Sequence, residues 1–113
     1  MSNYRKVNGV AEATNGTQNA TVIAAGGLRK VIRLLKGSIQ ITVAAIGGTG
    51  LAALEDGSGG TKIFTCPATS LGVFSFDFAE PGYPLTANTL LNVTVEGGST
   101  QATARATVTG NLL

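Results

Sequence analysis

The sequence predicts an all-β protein, a two-sheet β-sandwich of jelly-roll or immunoglobulin-like kind with about eight strands. Three observations predict it. Short segments alternate apolar and polar residues at a period of two. Glycine pairs and Asp-Gly turns separate them, and the 113 residues hold 16 glycines but only 3 prolines. Only one stretch fits a helical stripe, and it is too short to stand alone.

Residues 1–17 carry Asn, Gly and Thr with little apolar periodicity, and are expected to form an N-terminal arm or a loosely attached edge segment. Residues 18–113 form the sandwich domain. Its expected strands begin with Gln18–Ala25, bounded by Gly26-Gly27. The stretch GGLRKVIRLLKGSIQITV follows at residues 26–43. As a helix it would place Leu28, Val31, Ile32 and Leu35 on one stripe, over only about nine residues between glycines. As a hairpin turning at Lys36-Gly37 it would oppose Leu34 to Ile39 and Ile32 to Ile41 on one face. The other face would then hold Arg33, Gln40 and Thr42, with Val31 the one apolar exception. Both arms agree on the buried face, so the hairpin is the reading adopted.

Leu51–Leu54 and Lys62–Cys66 flank the turn Asp56-Gly57-Ser58-Gly59-Gly60. Phe74, Phe76 and Phe78 alternate with Ser75 and Asp77 and predict a wall of the core. Glu80-Pro81-Gly82-Tyr83-Pro84 predicts a crossing loop, because two prolines there remove backbone donors. Leu91–Glu96 and Ala102–Thr109 alternate as strands with one wet face, joined by a turn at Gly97-Gly98-Ser99.

Charged residues are 12%, about half the usual share. Either neighbours cover part of the surface, or its many Thr, Ser, Asn and Gln solvate it. The net charge of +2 is slight, and no aromatic residue interleaves with the basic cluster. Both facts argue against nucleic acid. No apolar run is long enough to span a membrane, and the amino terminus lacks a secretory pattern, so assembly in a cytoplasm is expected.

No catalytic, cofactor or metal site is expected. The chain has no histidine, so the commonest general base is missing. Its single cysteine, Cys66, has no basic neighbour to activate it and is expected to be a buried structural thiol. Asp77 and Glu80 are close in sequence, but no pocket-forming segment accompanies them. The Asp56–Gly60 stretch lacks the Gly-Lys-Ser/Thr and following helix of a phosphate loop.

Three stretches, ATVIAAGGLRKVIRLLKGSIQITV, DGSGGTKIFTCPA and FDFAEPGYPLTANTLLNVTVEGGSTQATARATVTG, together resemble small all-β virion proteins of tailed bacteriophages. The likeness lies in pattern and turn placement over roughly residues 20–110. It implies a bacteriophage structural protein: a capsid decoration, or cement, protein that forms a homotrimer. Such a protein sits on the capsid surface of the virion, binds the major capsid protein and stabilises the assembled shell. The alternative it implies is a receptor-binding, glycan-binding or structural module of a neck, head or tail fibre. On this reading Tyr4, Arg5, Lys6, Arg29, Lys30 and Arg33 are the candidate residues contacting the capsid or sister copies.

Overall fold

The computed structural model describes residues 5–14, 20–45, 50–96 and 102–113. Tyr4 and the turn at Gly97-Gly98-Ser99 lie outside the described residues. The elements are β1 (Arg5–Thr14), β2 (Ala20–Ile23), β3 (Ile32–Val43), β4 (Leu51–Asp56), β5 (Thr61–Pro67), β6 (Gly72–Asp77), β7 (Tyr83–Pro84), β8 (Leu91–Glu96) and β9 (Thr103–Leu112). They make two antiparallel sheets. Sheet A runs β1-β9-β3-β6, with the short β7 also on β3, and sheet B runs β2-β8-β4-β5.

The pairing decides between the two expected topologies. Setting β7 aside, the first strand pairs with the last and the second with the next to last. β3 pairs with β6, and β4 with β5. A chain folded back on itself in this way and then wrapped into two sheets is a jelly roll.

The core lies between the sheets. Ile32, Leu34, Ile39, Ile41, Leu54, Leu91, Val93 and Val108 are its largest fully buried side chains. Each contributes about 1.5–3 kcal/mol of burial. Their neighbours Ala104 and Ala106 on β9, and Ala102 just before it, are small and buried, which lets the sheets approach. Aromatic packing closes one flank, where Phe64 of β5 meets Phe76 of β6 with ring centroids 4.9 Å apart. At the other flank Gly9 of β1 lies against the Val22 carbonyl of β2, where a Cβ would collide. The expected phenylalanine wall is present: Phe76 is buried, and Phe74 and Phe78 are half-buried against the core.

Three expectations change. First, of the arm and the loosely attached edge segment expected over residues 1–17, Arg5–Thr14 is an edge segment, and a firmly held one, paired along its length with β9. Second, there is no hairpin at Lys36-Gly37. β3 continues through it, paired with β9 on one side and β6 on the other. A β-bulge between Leu34 and Lys36 inserts Leu35, so the buried face moves from Ile32 and Leu34 to Ile39 and Ile41. Gly37 serves close approach here, since a Cβ would strike the Thr107 carbonyl and lie 2.8 Å from Val108 Cα. Third, β8 has no wet face until its end. Asn92 and Thr94 are buried along with Leu91, Val93 and Val95.

Candidate functional site

Sheet A presents its outer face through the register of its strands. In one row Lys6, Asn111, Arg33 and Pro84 lie side by side across β1, β9, β3 and β7. In the next row stand Asn8, Thr109, Lys36 and Asp77. Beyond them lie Val10, Thr107, Ser38 and Ser75. The face is rich in hydroxyl and amide groups and carries the charges of Lys6, Arg33, Lys36 and Asp77. A shallow depression of about 570 Å³ runs across it, lined by Lys36, Ser38, Ser75, Asp77, Thr107 and Thr109. A second of about 300 Å³ adjoins it and adds Lys6 and Glu80.

The basic residues singled out in the sequence gather at one end of this sheet. β1 and β3 start there and β9 finishes there, with Arg5 opposite Leu112 and Lys6 opposite Asn111. Arg33 is also opposite Asn111, so Lys6 and Arg33 flank one strand, about 10 Å apart at two strand spacings. Arg33 is partly covered, and its Nε is buried without a hydrogen-bond partner. Arg29 and Lys30 lie just before β3. Val31 extends the β3–β9 ladder beyond Ile32 through a pair of backbone bonds with Leu113, each 3.0 Å.

The Arg29 backbone is unusual. Lys30 N–H donates to the Gly27 carbonyl at 3.0 Å, closing a turn with Arg29 at its third position and φ 64°. A positive φ there is the pattern of a type II turn, where glycine is the usual residue. Leu28 stands at the apex of this turn, 84% exposed. Only the helical alternative, not adopted, gave Leu28 a place, on an apolar stripe. The Gly26-Gly27 pair was the signal that a turn precedes it.

The carboxylates near the remaining turns hold the fold. Glu55 is buried. Its Oε1 accepts from Asn92 Nδ2 at 2.9 Å and from Gly59 N–H at 3.2 Å, and its Oε2 faces Lys62 Nζ at 3.5 Å. Lys62 also meets Glu96 at 3.4 Å. Glu96 first, and then Glu55, raise the Lys62 pKa. Asp56 accepts the Thr86 hydroxyl at 2.8 Å and the Thr86 N–H, pinning the crossing segment to the end of β4. Asp77 accepts the Ala79 N–H at 2.8 Å and closes the turn after β6. Cys66 is a free, buried cysteine, as expected, and burial pushes its thiol up to about 11. A thiol held protonated is a poor nucleophile. Among the described residues no three of His, Cys, Asp and Glu gather as a metal site would need.

No protein-family model matches the chain, and no curated protein is similar enough to it to count as a relative.

Proposed function

We propose that this chain is a structural component of a bacteriophage virion, in its most specific form a homotrimeric decoration protein. It binds the major capsid protein of the assembled shell and stabilises it. The observation that carries the reading is the basic end of sheet A. Arg5, Lys6 and Arg33 occupy neighbouring register positions, with Arg29 and Lys30 in the turn beside them. Five of the eight cations of a weakly charged chain are thereby gathered at one end. None of the five is in an ion pair with a described carboxylate. Complementary charge at such a patch sets the register of docking and speeds encounter.

The jelly roll supports the reading by analogy, since this architecture recurs in viral shell proteins. It recurs in lectins as well, so fold alone does not assign the function. A protein that binds the assembled shell and not its free subunits stabilises the shell by mass action. The lectin-like alternative has less support. Tyr83 is the one described tyrosine, and although its ring is partly exposed beside Phe78 at 5.6 Å, a single aromatic ring is a meagre platform for a sugar.

Two measurements test the proposal. Particles purified from cells that make the chain should contain it at a fixed ratio near that of the major shell subunit, and its native mass should be that of a trimer. A few copies per particle, or none, would remove the decoration role. Glycan-array binding by the isolated protein would favour the fibre alternative.

A further inference from the structure

We propose that the Gly27–Lys30 turn is the docking knob of the molecule, with Leu28 entering an apolar socket on an acidic protein surface and Arg29 and Lys30 engaging the carboxylates at its rim. This inference rests on the shell-binding reading and names the contact that would carry it.

Four features meet in these residues. Leu28 is the most exposed large apolar side chain among the described residues, at 84%. The two residues after it are exposed cations, neither in an ion pair with a described carboxylate. Arg29 holds a left-handed backbone at φ 64°, a conformation that disfavours any residue with a Cβ. The turn is nevertheless held firmly. Lys30 N–H bonds the Gly27 carbonyl at 3.0 Å, the Lys30 carbonyl accepts Asn88 N–H at 2.8 Å, and Val31 and Leu113 exchange two bonds. Because backbone hydrogen bonds already hold the strained turn, docking of Leu28 needs little further ordering of the main chain. Glycine at position 29 would relieve the strain but remove a cation.

The occupant is an acidic protein surface for two reasons. Charge complementarity is one, since Arg5, Lys6 and Arg33 surround the same end and extend the positive field. Apolar area is the other. One leucine buries far less than the single acyl chain that by itself gives only marginal, reversible membrane binding. A protein socket accepts one leucine as an anchor, and carboxylates around it fix its register.

The test uses particles stripped of the chain and the full-length protein, with rebinding followed by co-sedimentation. Leu28→Asp and the double variant Arg29→Glu/Lys30→Glu should each rebind about tenfold more weakly or worse. Val73→Asp, at an exposed position on β6 toward the opposite end of sheet A, should rebind like the wild type. Arg29→Gly should melt roughly 2–5 °C higher, which separates docking from folding, yet rebind more weakly. Equal rebinding by wild type and Leu28→Asp overturns the knob and leaves the shell-binding reading standing. Failure of the wild type to rebind overturns both. Co-sedimentation of the wild type with phosphatidylglycerol vesicles, lost in Leu28→Asp, overturns the protein socket in favour of a lipid surface.

Discussion

Glu55 and Asn92 meet inside sheet B, with Asn92 Nδ2 donating to Glu55 Oε1 at 2.9 Å and both residues buried. The same carboxylate accepts the Gly59 N–H and faces Lys62, so one buried acid ties β4 to β8 and fixes the turn into β5. A buried carboxylate is tolerated because these partners offset its lost hydration. Asn92→Ala should cost about 1–3 kcal/mol, since it removes one of them. Glu55→Ala should cost more, because it strands the Asn92 amide and the Gly59 N–H together and leaves Lys62 with Glu96 alone. Urea unfolding of the two variants gives the comparison, and an inverted order would refute this account.

Stability should fall in alkali. Burial holds the Cys66 thiol near 11, above the ~8.5 of an unfolded chain. The folded state therefore favours the protonated thiol. Its contribution is full below about pH 8.5, declines as pH rises and is gone above about 11, with a span on the order of 3 kcal/mol. Lys62, raised chiefly by Glu96, acts in the same direction. Cys66→Ala should flatten the decline between those pH values. Thermal melts across that range decide it, and an unchanged slope would exclude Cys66 as a cause.

Gly37→Ala should destabilise the sandwich by about 1–3 kcal/mol. The new methyl would meet the Thr107 carbonyl and Val108 on β9, and backbone yields little there. A variant as stable as the parent would mean that β3 and β9 can move apart freely. Chemical denaturation is sufficient to tell.

Phe76→Ala should cost about 3–5 kcal/mol. Phe76 is buried at the flank, between Phe64 at 4.9 Å and Phe78 at 5.4 Å. Truncation leaves a void that joins both sheets at once. Binding of a fluorescent apolar dye to the variant, absent for the parent, would report the opened flank.

The class of fold was legible because strand periodicity is local: Ala102, Ala104, Ala106 and Val108 alternate in sequence and all face the core. The path of β3 was not. A two-residue hairpin turn and a single-residue bulge both switch which parity of residue is buried. Ile32 and Leu34 followed by Ile39 and Ile41 therefore fit either. Gly37 tilted the choice toward a turn, although its smallness serves the neighbouring strand. β8 misled for another reason. Asn92 and Thr94 look like a solvent face, and nothing nearby in sequence reveals that Asn92 reaches Glu55 across the sheet. The basic cluster could be read as a group, but the exposed apex at Leu28 depends on the Arg29 backbone angle.

β9 lies between β1 and β3 and is paired along its length with both. Without it, sheet A is reduced to a separate β1 and the β3–β6–β7 portion. During synthesis the first strand must therefore wait, unpaired, until residues 103–112 have cleared the ribosome. Closure of so wide a loop is slow. In that interval Val7, Ala11 and Ala13 stay uncovered and open to chaperones and proteases.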